Sequence, residues 1–167
     1  MSLTVAQALH WFNIADFFHE VQRVLKPGGI IAVWGYGLME ISPEIDQIVT
    51  EYCYEIVGDF WPPERSLLEE KYASIPFPFL ELSPPNFFME QTWSINHLIG
   101  YLNTWSSTRN FLAQNQINPL EAIEEDLKSV WGNPEMTKLV RWALFLKVGR
   151  KLGDGEMGIW GAGEVTS

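Results

Sequence analysis

Cys53 is the only cysteine among 167 residues, so no disulfide can close within the chain. Basic residues are also scarce. Eleven Lys and Arg stand against 21 Asp and Glu, for a net charge of −10. Without a basic stripe to meet phosphates, the sequence argues against nucleic acid or an anionic membrane surface as partner. Long apolar runs are missing. The longest candidate, Trp142 to Leu146, stops at Lys147, far short of a membrane span. The first residues carry neither the basic segment nor the apolar core of a secretory signal. A soluble cytoplasmic protein is the expectation. No internal repeat, low-complexity tract or metal-ligand pattern is read.

What remains is rich in carbon. The chain is 47% hydrophobic and 14% aromatic, with eight Trp and ten Phe, enough for one domain with a core. Residues Val21 to Trp34 are the most informative stretch. Ile14, Phe17, Phe18, Val21, Val24 and Leu25 recur at helical spacing and predict one apolar helix face. Arg23 and Lys26 suit a helix C-terminus. Pro27 forbids continuation, and Gly28 and Gly29 can reverse the chain. Ile30 to Trp34 then run apolar without alternation, as a strand buried on both faces does. Leu3 to Leu9 reads as an earlier strand. The unit is β-α-β, with a right-handed crossover expected.

Further along, Ser42 and Pro43 are a helix N-cap and first-turn pair. Ile45, Ile48, Val49, Tyr52 and Ile56 follow at helical spacing, ending near Gly58. Residues 59–86 are proline-rich, with one helical turn expected around Leu67 to Tyr72. Asn86 to Ser94 alternates as a strand. Ser94 caps a helix carrying Leu98, Ile99, Leu102 and Trp105, and a second runs from Ser107 to Gln114. Asn118 and Pro119 start another, with Leu120, Ile123, Leu127 and Val130 apolar and Gly132 as its stop. Leu139 to Val148 reads as the last strand. Glu121, Glu124, Glu125 and Asp126 read as a solvated helix face.

These residues carry a resemblance. Ala8 to Phe12 (ALHWF), Arg23 to Gly29 (RVLKPGG) and Val33 to Gly37 (VWGYG) resemble the second half of a class I S-adenosylmethionine-dependent methyltransferase. The type 11 group, of the trans-aconitate methyltransferase kind, is the most similar. The likeness continues through Pro43 to Asp46, Trp61 to Arg65 (WPPER), Pro76 to Phe79 and Tyr101 to Ser106, and ends near Arg150. LKPGG alone is common among methyltransferases; its combination with ALHWF and WPPER is more specific.

The resemblance implies an α/β, Rossmann-like partial sheet with strands equivalent to 4-5-7-6. The last strand is antiparallel, and a helical cap lies between the last two. It divides the chain into a methyltransferase domain, 1–150, and a glycine-rich tail, 151–167. Residues 1–58, 86–94 and 136–150 form the sheet region, and 59–85 and 95–135 the cap. The family's glycine-rich turn and the acidic residue ending its second strand have no counterpart here. The chain therefore reads as the C-terminal portion, inactive by itself. Gly153 to Gly158 matches G-x-G-x-x-G, but no helix and second strand follow within the nine residues after it, so it reads as tail.

The resemblance also implies a site at the carboxyl ends of the first two strands. Ala6, Gln7 and Ala8 run beside the methionine end of the cofactor, and Trp11, the fourth cofactor-side candidate, beside the methyl-transfer point. His10 lies beside the methyl-transfer point and is the candidate base for an alcohol or amine substrate; a carboxylate needs none. Tyr36, Trp61, Tyr101, Trp105 and Arg109 line the substrate pocket, and Arg109 offers a guanidinium to a carboxylate. Plainer readings stand beside these: strand-end capping or packing for His10, core packing for Trp11, Phe12 and Trp34, and a solvated surface arginine for Arg109. The outer edge of the first strand lacks its family neighbour and predicts a homodimer or a complementing chain. Three readings follow: a small-molecule methyltransferase of which this is one portion, a non-catalytic remnant serving as a dimeric binding module, or half of a split enzyme.

Overall fold

The computed structural model describes residues 1–153. In chain order they form β1 (Ser2–Ala6), α1 (Ile14–Val24), β2 (Ile30–Tyr36), α2 (Pro43–Glu51), α3 (Arg65–Glu69), β3 (Leu80–Leu82), β4 (Phe87–Trp93), α4 (Ile95–Asn103), α5 (Ser106–Asn115), α6 (Glu124–Trp131) and β5 (Lys138–Arg150). Two compact units result. Of the described residues, unit 1 holds 1–36, 67–87 and 144–153; unit 2 holds 37–66 and 88–143. The glycine motif at 153–158 lies, beyond its first residue, outside the described residues.

Unit 1 is built on the β-α-β reading. The Asn13 side chain accepts from the Asp16 backbone N–H at 3.3 Å and caps α1. Phe18 and Val21 of that helix, with Leu25 after it, are buried beside Ile31 and Val33 of β2 in one core cluster. Gly28 has φ +76°, the left-handed turn that the sequence asked of it. The positive group at the helix end is not the expected one. Arg23 turns back onto Glu20, while Lys151, far along the chain, donates to the Gln22 carbonyl and, at 2.7 Å, to that of Leu25. β1 and β2 pair in parallel from Ser2 opposite Ile30 to Ala6 opposite Trp34. β2 and β5 pair antiparallel from Ile30 opposite Arg150 to Tyr36 opposite Leu144.

The strand order is β1-β2-β5-β3, with β4 also paired to β5. Strands β1, β2, β5 and β4 thus take the 4-5-7-6 roles, and α4 to α6 are inserted between β4 and β5. Four local expectations are corrected. β1 stops at Ala6 instead of reaching Leu9, because Gln7 takes φ 50° and turns the chain; Leu9 is fully buried in a 3-10 turn, Leu9–Trp11. β2 buries one face, Ile31, Val33 and Gly35, and leaves Ile30, Ala32, Trp34 and Tyr36 half-buried. β3 was not expected; three residues between prolines carry no periodicity. The helix from Asn118 is broken at Ile123 into a 3-10 turn, Pro119–Ala122, and α6.

In unit 2, α2 begins with Pro43 at its first position, but Ser42 makes no side-chain cap. The Asp46 carboxylate accepts the Ile41 N–H at 2.8 Å instead. Ile45, Val49 and Tyr52 are buried, and a π-helical turn, Tyr52–Ile56, extends the helix. Ser94 opens α4, its N–H donating to His97 Nδ1 at 3.2 Å. In α6 the buried pair is Leu127 and Trp131, four apart on one face; Val130 is exposed. Lys128 answers the acidic run, with Glu124 at 2.7 Å and Glu125 at 3.2 Å.

Candidate functional site

Parallel strands present their ligand-facing residues beyond their carboxyl ends, and in unit 1 those ends are tied together by one side chain. The Gln7 N–H continues the β1–β2 ladder to the Trp34 carbonyl at 2.8 Å. Its side-chain amide then grips β2 twice more, two residues on. Gln7 Oε1 accepts the Tyr36 N–H at 2.9 Å, and Gln7 Nε2 donates to the Tyr36 carbonyl at 3.2 Å. Gln7 therefore shapes the strand ends with both amide atoms engaged. Close packing adds to this at Gly35. A Cβ there would sit 2.5 Å from Phe145 Cζ and 2.9 Å from both Gln7 Oε1 and Leu68 Cδ1. That crowding accounts for a glycine inside a strand.

After this clamp the 3-10 turn places His10 almost out of solvent and Trp11 in it, at 57% exposure. Their rings lie 4.7 Å apart. The His10 Nδ1 is 2.9 Å from the Tyr72 hydroxyl, which is fully buried. Burial pushes the Tyr72 hydroxyl up from its ordinary titration range, while the backbone N–H groups of His10 and Leu9 that face it pull the other way. Tyr72 is delivered by a turn after α3 in which Lys71 and Tyr72 have φ 54° and 60°. Left-handed backbone is costly for bulky residues and persists where surroundings enforce it. Lys147 of β5 does so, donating to the Tyr72 and Ile75 carbonyls at 3.1 and 3.4 Å.

The other candidates lie in unit 2. Trp61 donates its indole N–H to the Cys53 carbonyl at 3.0 Å, and the Arg65 guanidinium covers its ring at 3.7 Å. Trp105 lies 5.3 Å from Trp61 and 6.1 Å from Tyr101, ring to ring. Tyr101 also meets Trp93 at 5.1 Å and Trp142 at 5.9 Å. Below these rings the Tyr52 hydroxyl contacts Thr108 Oγ1 at 2.8 Å, and Thr108 donates onward to the Leu102 carbonyl at 2.9 Å. Burial drives the Tyr52 hydroxyl up to about 12, against the lowering effect of Thr108. Arg109 is exposed on α5.

The structure thus gathers Ala6, Gln7, Ala8, His10, Trp11 and Tyr36 at one end of unit 1, and Trp61, Tyr101 and Trp105 in one aromatic cluster of unit 2. Sequence reasoning missed Tyr72, Lys147 and Arg65. Lys147 alone left a signal, as a cation interrupting the apolar run of β5; Tyr72 sat in a proline-rich stretch without periodicity. Against the cofactor implied by the resemblance, the residues fit one end only. Exposed Ala6 and small Ala8 leave the strand-end backbone open to a close ligand. Among the described residues no carboxylate ends β1 or β2, and no glycine turn opens a helix after a strand to hold a nucleotide.

No family profile matches the chain. A Dictyostelium discoideum protein named "Putative methyltransferase" is 38% identical over 128 residues, 75% of this chain and 49% of that protein. The solved structure of a "Putative Type II Methyltransferase" from Anaeromyxobacter dehalogenans is 36% identical and superposes with a TM-score of 0.84, over 90% of this chain and 64% of that one. The chain spans about half the length of the curated relative it matches. Over the length it shares with that solved structure, the chain has the same Rossmann-like α/β fold.

Proposed function

We propose that this chain is the later-strand portion of an S-adenosylmethionine-dependent methyltransferase acting on a small molecule such as a carboxylic acid. The observation that carries the reading is the joined carboxyl end of β1 and β2, clamped by Gln7 on Tyr36, on a fold shared at TM-score 0.84 with a protein named as a methyltransferase. When bound, the cofactor supplies a methyl group on a sulfonium. Ala6, Gln7, Ala8 and Trp11 form the wall at its methionine end, where the Trp11 ring can face the cation. Among the described residues none forms a site for the nucleotide end, and the reading takes the chain by itself as inactive.

Methyl transfer asks mainly for alignment and exclusion of water. In unit 1, Tyr36 and His10 align the acceptor. In unit 2, by itself, Trp61, Tyr101 and Trp105 form an aromatic cluster, and Arg109 is exposed on α5. A second reading has its own observation. Among the described residues β1 is paired only with β2, so its outer edge is open to another chain. We propose that a second copy or a complementing polypeptide pairs there.

Calorimetric titration of S-adenosylhomocysteine, the demethylated product, tests the first reading. Saturable heat that is lost in Trp11→Ala is expected. A folded chain that takes up no product at millimolar ligand would remove the cofactor role and leave a binding module. Light scattering tests the second reading, with the mass of a single chain as the contradicting result for the homodimer.

A further inference from the structure

Glu40 and Arg141 form an isolated antiparallel bridge within unit 2. The Glu40 N–H donates to the Arg141 carbonyl at 2.8 Å, and the Arg141 N–H to that of Glu40 at 3.0 Å. Residues directly opposite each other carry their side chains on one face, where opposite charges ordinarily pair. Among the described residues Arg141 ion-pairs with Glu90 instead, Nε to Oε1 at 3.3 Å. That contact is too poorly aligned for a hydrogen bond, and Nε is buried without one. The guanidinium lies on the Phe88 ring, its carbon 3.5 Å from the centroid. Stacking uses none of its N–H donors.

The two charges left apart line one cavity of about 280 Å³, wholly within unit 2. Asp46 lines it too, turned back from the first turn of α2 to accept the Ile41 N–H at 2.8 Å. Ile41, Pro43 and Leu139 supply apolar wall, and Leu139 is 55% exposed. The volume is just under the roughly 300 Å³ at which pockets for drug-sized ligands begin, so the ligand is small. A plain anion would meet the charges of Glu40 and Asp46, and a plain cation that of Arg141. Residues bridged in this way have Cα atoms about 5.5 Å apart, which favours a ligand whose own two charges are close together. We propose that this cavity binds a zwitterion, an α-amino acid with an apolar side chain. Arg141 takes its carboxylate, Glu40 and Asp46 its ammonium group, and Ile41, Pro43 and Leu139 its side chain. The site is separate from the methyl-transfer reading and needs no cofactor.

Amide chemical shifts of the isotope-labelled 167-residue chain, followed as L-leucine is added without cofactor, test this. Saturable movement of the Glu40, Ile41, Leu139 and Arg141 amides is expected. Isocaproate lacks the ammonium group and isoamylamine the carboxylate; each is expected to bind about tenfold more weakly than leucine, or worse. Arg141→Gln removes the fork. Glu40→Gln, at an exposed position, removes a charge and keeps the backbone bonds of the bridge. Each is expected to weaken leucine by a similar factor. No movement at millimolar leucine in the folded wild type overturns the proposal. So does isocaproate or isoamylamine binding as tightly as leucine, or leucine binding unchanged in folded Glu40→Gln.

Discussion

The two units put their candidate residues to work differently. In unit 1 the strand ends are organised by polar atoms with defined partners: the Gln7 amide on Tyr36, His10 on Tyr72, Lys147 on two carbonyls. Three of its non-glycine residues, Gln7, Lys71 and Tyr72, hold left-handed backbone. In unit 2 the candidates are rings packed on rings, around Tyr101, Trp105 and Trp142. Directional bonds and strain fix atoms to fractions of an ångström, as chemistry needs; ring packing supplies stability and apolar surface. Unit 1 has the character of a positioning site, and unit 2 that of a core with an aromatic face.

The comparison breaks first, and hardest, at Trp142. It is 1% exposed and packs edge-on against Trp93 at 5.0 Å. Trp142→Ala is expected to cost about 3–5 kcal/mol in chemical denaturation. Gly35→Ala attacks unit 1 by overpacking, since the new Cβ meets Phe145 Cζ at 2.5 Å. About 1–3 kcal/mol is expected by the same measurement, with Tyr36 amide exchange accelerated as the strand ends separate.

Gln7→Met keeps the length of the side chain and removes both bonds to Tyr36. A loss of about 1 kcal/mol is expected, read as faster exchange of the Tyr36 amide while unit 2 amides stay protected. A further effect is with pH. Tyr52 keeps its proton in the folded state up to about 12, whereas in the unfolded chain tyrosine loses it near about 10. Across that window the folded state binds more protons, so stability falls as pH rises. Tyr72, also raised by burial, acts in the same direction. Tyr52→Phe should flatten the alkaline limb of an unfolding titration.

The elements legible in the sequence were those with a period and punctuation. α1 carries its apolar face between Asn13 and Pro27, and β2 follows Gly28 and Gly29; both appear where the pattern put them. Strand order came from the resemblance. Illegible were features made by contacts far apart in sequence. Gln7 ends β1 because its side chain has Tyr36 to bind, 29 residues away. His10 is buried because Tyr72, 62 residues on, reaches it. The helix expected from Asn118 breaks at Ile123, although the apolar spacing from Leu120 to Leu127 is continuous. Local periodicity ranks helix against strand, but it holds no information on which distant polar group completes a side chain's bonds.

The account's central claim is that the β1 and β2 strand ends form a wall of a cofactor site. Amide chemical shifts recorded while S-adenosylhomocysteine is added to the isotope-labelled chain test it most directly. The account predicts that the amides of Ala6, Gln7, Ala8 and Tyr36 move first and together. Shifts confined to the helices of unit 2, or no shift at millimolar ligand in a folded chain, would contradict it.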